Sequence, residues 1–140
     1  MSISNTAISL LILRTMIAMT MTKDDCQKML DEWQKKYIGG KYHYPKYLEF
    51  GDLGNSTRGI TYYKRETYKN FEMARWGEIK LNFRLKSNWR IKAVLWHEFC
   101  HHWAYSVYNY SGHQGKFDDC LRTDKVLWLL GSFSRIIPML

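Results

Sequence analysis

The stretch His97-Glu98-Phe99-Cys100-His101 reads H-E-x-x-H, and a further histidine, His113, follows it. An α-helix advances about 100° per residue, so positions four apart lie one above the other and His97 and His101 can turn two imidazoles toward one ion. Catalytic zinc usually takes three protein ligands and keeps one position open, which makes His113 the candidate for the third. With one zinc ion held by His97, His101 and His113, Glu98 stays off the metal. It is then placed to take a proton from a water whose pKa the ion lowers to about 7.

A pattern of this kind arises by chance in a chain of this length roughly once in several hundred sequences, so its setting decides its meaning. Ser87 or Asn88 can cap a helix start, and Ile91, Leu95, Phe99, His102 or Trp103, and Ser106 form an apolar stripe at helical spacing. Val94, His97, Glu98, His101 and Tyr105 make the adjoining face. Turn residues cluster at 109–112, where the chain can reverse before His113.

Around the motif the chain resembles the SprT-like family of zinc metalloproteases, which includes a protease of DNA-protein crosslinks. The resemblance rests on Ile79-Lys80-Leu81-Asn82, on Val94-Leu95-Trp96-His97-Glu98-Phe99-Cys100-His101, and on Gly112-His113-Gln114-Gly115-Lys116-Phe117. It covers roughly residues 47–122. Gln114 stands where the family usually has a glycine directly after the histidine. Some members carry a cysteine-rich zinc ribbon near the C-terminus, and none is expected here. The resemblance implies a protein substrate that is associated with or crosslinked to DNA.

At 140 residues the chain suits one domain, expected over residues 23–140 and preceded by an apolar segment, 1–22, that is a helix or a leader. Arg14 interrupts that segment and no basic residue precedes it, unlike a secretory signal; it is also short for a membrane span. No stable membrane insertion is expected. Cys26, Cys100 and Cys120 are few, odd in number and widely spaced, which argues against a disulfide framework. The compartment expected from this is reducing: cytoplasm, or nucleoid or nucleus. Cys100 diverges from the direction of His101 on the helix and reads as a small core residue.

Residues 23–37 read as a helix, with Cys26, Met29, Leu30, Trp33 and Tyr37 at spacings of three and four, stopped by Gly39-Gly40. Strands are expected at 47–50, 60–63 and 77–83, the last with Ile79, Leu81 and Phe83 on one face. Helices follow at 116–121 and 125–137, the second offering Val126, Leu127, Leu129, Leu130, Phe133 and Ile137 to a core or interface. The fold class is therefore α+β: a small antiparallel or mixed three-stranded sheet packed against helices, one of them the H-E-x-x-H active-site helix.

The net charge is +8, and residues 61–96 hold nine Lys or Arg against three acids. Cations that neutralise phosphate, interleaved with aromatic rings that stack on unpaired bases, suit single-stranded DNA. Lys64, Arg65, Lys69, Arg75 and Arg84 are the candidate contacts. The same alternation also describes strands with one aromatic and one solvated face. His102 points away from the metal face and reads as a packing residue, while His43 is a lone loop histidine. Tyr105, Tyr108 or Tyr110 could stabilise an oxyanion, and the sequence does not choose among them. The function expected is zinc-dependent peptide hydrolysis on DNA-associated proteins. A nucleic-acid-binding module with structural zinc, and a zinc peptidase with one dedicated protein partner, are the other readings.

Overall fold

The computed structural model describes residues 5–7, 21–39, 48–67 and 73–139. Most of the apolar N-terminal stretch, His43 and Lys69 lie outside them.

The first main element is α1 (Lys23–Tyr37), with the bounds its periodicity predicts. A reciprocal cap starts it: the Thr22 hydroxyl accepts the Asp25 N–H at 3.2 Å, and the Asp25 carboxylate accepts the Thr22 N–H at 2.9 Å. At its end the Gly39 N–H bonds the Gln34 carbonyl with φ at +82°, a left-handed cap that glycine adopts without steric cost.

Three strands follow, β1 (Leu48–Gly51), β2 (Gly59–Thr67) and β3 (Met73–Asn82). Their order is β1-β3-β2, with β3 central, parallel to β1 and antiparallel to β2. The sheet is therefore mixed. Ile79 and Leu81 are buried as the alternation requires, but Phe83 is 46% exposed, contrary to expectation. The strand ends one residue earlier, at Asn82, whose buried amide donates to the Gly54 and Thr57 carbonyls at 2.8 and 2.7 Å. Asn82 thereby fixes the loop before β2, and the chain turns at Phe83 rather than continuing the pleat.

The central helix is α2 (Asn88–Tyr108). Ser87 is its N-cap without a side-chain bond, while Asn88 accepts the Met21 N–H at 2.8 Å and ties the chain ahead of α1 to the start of α2. Ile91, Leu95, Phe99, His102 and Ser106 are buried as their spacing predicts. The helix is buried on its other side as well, at Val94, Glu98 and His101, as expected of a helix enclosed by neighbours. Trp33 of α1 meets Trp96 edge-on at 5.0 Å and Phe99 at 5.6 Å, so the aromatic core lies behind the motif and holds its backbone in place. Truncating Trp96 to Ala would cost about 3–5 kcal/mol. Asn109, at φ 56°, ends the helix in the left-handed conformation that asparagine tolerates.

Two short helices complete the chain, α3 (Lys116–Thr123) and α4 (Lys125–Ile136). One expectation is overturned here. Cys100 and Cys120 form a disulfide with Cα atoms 5.5 Å apart, leaving Cys26 as a free, buried thiol. Sequence separation concealed their proximity: Cys100 faces the core, as its helical direction predicts, and α3 packs against it there. The case from unpaired cysteines for a reducing compartment therefore does not stand. Of the apolar stripe offered to a core or interface, Leu127 packs on the core, while Val126, Leu129, Phe133 and, just past α4, Ile137 are exposed; Ser134 is buried. The helix packs on the core through Leu127 and Trp128 as well as Ser134, and the carbonyls just past its C-terminal end are held by two arginines. Arg90 donates to the Pro138 carbonyl at 2.9 Å, and Arg58 to the Ile137 carbonyl at 3.2 Å.

Candidate metal centre

His97 and His101 project from the middle of α2, and the loop between α2 and α3 brings His113 to them. One nitrogen from each of the three lies within 4.8 Å of the others. The Nε2 atoms of His101 and His113 are 3.2 Å apart. Adjacent nitrogens of a tetrahedral zinc, at 2.0–2.1 Å from the ion, are separated by about 3.3–3.4 Å, so this pair already has the required spacing. Phe117 supports all three rings. It stacks on His101 at 4.0 Å and meets His97 and His113 edge-on at 4.9 and 5.3 Å. Gly115, at φ 54°, turns the chain so that Phe117 enters α3 beneath the histidines. Burial pushes His97 down to about 3 and His101 to about 4, which keeps both imidazoles neutral at pH 7 with lone pairs available to an ion.

Glu98 lies beside this group and is 5% exposed. Its carboxylate touches the Thr61 hydroxyl, which also reaches the Glu98 main-chain carbonyl at 3.2 Å. Burial raises the Glu98 pKa to about 7, against the opposing pull of the Thr61 bond. A carboxylate tuned near neutrality can accept a proton and return it. Gly59 makes the close approach possible: a Cβ there would stand 2.9 Å from Val94 Cγ1 and 3.0 Å from Glu98 Cγ. A cleft of about 360 Å³ opens on the site, walled by Arg58 and Gly59 on one side and Gly131, Ser134 and Arg135 of α4 on another.

The next inward position of β2 is Tyr63, two residues beyond Thr61 and so on the same strand face. Its hydroxyl lies 3.2 Å from His101 Nδ1 and 3.2 Å from the Ser111 carbonyl. Sequence reasoning passed over both Thr61 and Tyr63. Their i, i+2 spacing was legible, but which face of β2 meets α2 was not. His102 packs as expected, its Nδ1 accepting the Gly77 N–H at 2.7 Å. Of the tyrosines considered for an oxyanion, Tyr105 packs on Tyr63 at 4.6 Å, Lys116 sits over the Tyr108 ring, and the Tyr110 hydroxyl accepts the Gln114 N–H at 3.2 Å.

The model of the SprT-like family matches residues 26–125, a span holding the three histidines, Glu98, Thr61 and Tyr63. The chain belongs to the SprT-like family. No curated protein matches it, and no solved structure does. SprT-like membership is consistent with a metallopeptidase-like domain, and the histidine triad could bind a metal ion.

The basic residues of this SprT-like chain are less concentrated in space than in sequence. Lys64 pairs with Glu78 at 3.4 Å and Arg84 with Asp52 at 3.6 Å, while Arg75 reaches the Ser106 carbonyl at 3.5 Å. Lys64 and Arg65 are successive β2 residues and point to opposite faces. Trp76 is buried, whereas Tyr62 and Phe83 are exposed. Among the described residues no helix is long and apolar enough to cross a membrane.

Proposed function

We propose that this SprT-like chain is a zinc-dependent metallopeptidase in which His97, His101 and His113 hold one zinc ion and Glu98 is the general base. The observation that carries the reading is the convergence of three imidazoles beside a buried carboxylate held by Thr61, with His97, His113 and Glu98 lining one cleft. Among the described residues the group contains no fourth histidine, cysteine or carboxylate, which favours a catalytic over a closed structural site. When bound, zinc polarises the scissile carbonyl and acidifies water. Glu98 takes the proton of the attacking water and delivers it to the leaving amine, with Thr61 fixing the direction of the carboxylate.

The substrates we propose are proteins held on DNA, on the strength of the basic stretch 61–96 and of SprT-like membership. The test is cleavage of a DNA-bound basic protein by the zinc-loaded chain, with and without single-stranded DNA, beside the Glu98→Gln variant. Cleavage that needs Glu98 and rises with DNA is expected. Cleavage that needs Glu98 but ignores DNA would retain the peptidase and refute the DNA-linked substrate.

A further inference from the structure

We infer that Tyr63 is a positioning residue that sets the tautomer of His101 and fastens the loop carrying His113 to it. The inference rests on the reading of His97, His101 and His113 as zinc ligands. The argument is one of proton counting. The Tyr63 hydroxyl has two neighbours at 3.2 Å, the Ser111 carbonyl and His101 Nδ1. A carbonyl only accepts, so the single phenolic proton goes to Ser111. His101 must then donate Nδ1–H to the phenol oxygen. A neutral imidazole carries one N–H, so the lone pair is left on Nε2, the atom that faces His113 Nε2.

Tyr63 therefore couples two ligands of different origin: one on the rigid α2, the other two residues past Ser111 in a loop. A hydrogen-bond acceptor on the outer nitrogen of a metal-bound histidine raises its basicity and fixes its ring. The phenol serves both bonds at once, donating to the Ser111 carbonyl and accepting from His101. Its ring contact with Tyr105 does not involve the hydroxyl, so Tyr63→Phe removes the relay while keeping the packing.

The experiment compares zinc affinity by chelator competition in the wild-type chain and Tyr63→Phe, with thermal melts of both in the metal-free state. We expect zinc binding weakened about 10–100-fold and nearly coincident melts. A second measurement, nitrogen-15 NMR of the histidine rings in the zinc-loaded proteins, reads the tautomer directly. The His101 Nδ1–H signal is expected in the wild type and shifted or broadened in Tyr63→Phe. Equal zinc affinity in the two proteins would overturn the inference and leave the ligand reading standing. A metal-free melt that falls in step with affinity would assign Tyr63 to the fold instead. A wild-type chain that takes up no zinc would overturn the ligand reading, and this inference with it.

Discussion

At the scale of single residues, Thr61 and His102 bear the most direct consequences. The Thr61 bond lowers the pKa of Glu98 while burial raises it to about 7. Thr61→Val removes the opposing bond, so the Glu98 pKa should climb and the acid limb of the pH–rate profile should move to higher pH. We expect kcat to fall by up to about 100-fold at pH 7 with zinc affinity unchanged, the lower end of what a general base contributes, since the carboxylate itself remains. Steady-state kinetics across pH checks this. His102 gives a stability prediction of defined sign. Burial lowers it to about 4 against 6.5 unfolded, so below pH 6.5 the unfolded chain binds the extra proton first. Its stabilising contribution is complete above pH 6.5 and is lost as pH falls toward 4, amounting to roughly 3 kcal/mol. His97 and His101 add in the same direction. Urea denaturation of the metal-free chain at pH 7 and 4.5 measures the slope, which His102→Gln should flatten.

At the scale of elements, the disulfide joins α2 to α3, the helix that carries Phe117 under the three imidazoles. The bridged cysteines are 20 residues apart, a loop whose closure stabilises by about 3 kcal/mol. Reductant should lower the denaturation midpoint of the wild-type chain and leave that of Cys120→Ala unmoved. In α4, a Cβ at Gly131 meets nothing within 4 Å, and Gly131 lines the cleft. Gly131→Ala should stabilise the helix by up to about 1 kcal/mol, while Gly131→Phe should fill the cleft and raise KM with zinc binding intact. How much of this was legible depended on the element. α1, the core stripe of α2 and the pair His97 and His101 could be read because helical periodicity is local, and His113 because a catalytic zinc usually takes a third protein ligand. The disulfide and the Thr61 and Tyr63 contacts could not, since each joins residues from separate elements. The stripe of α4 left core and interface open for a related reason. Periodicity reveals an apolar face but not how much of it a neighbour covers, and here Leu127 packs on the core while Val126, Leu129 and Phe133 stay exposed.

At the scale of the molecule, the charge of +8 gathers in sequence around β2 and β3, yet ion pairs and opposed strand faces divide it in space. If the surface still serves DNA, neutralising Lys64, Arg65, Lys69, Arg75 and Arg84 together should weaken affinity and flatten its salt dependence. Unchanged binding would remove these residues from any DNA contact. Lys64, Arg65, Arg75 and Arg84 do not line the cleft on the histidine group, so neutralising them should leave zinc uptake as it is. The measurement that bears most directly on the centre itself pairs zinc content with hydrolysis. The wild-type chain and Glu98→Gln are loaded with zinc, assayed for bound metal, and incubated with an unfolded protein substrate. We expect one zinc per chain in both, cleavage by the wild type alone, and loss of that cleavage on chelation with recovery on zinc addition. Cleavage by Glu98→Gln at the wild-type rate, or a chain that binds no zinc, would contradict the assignment.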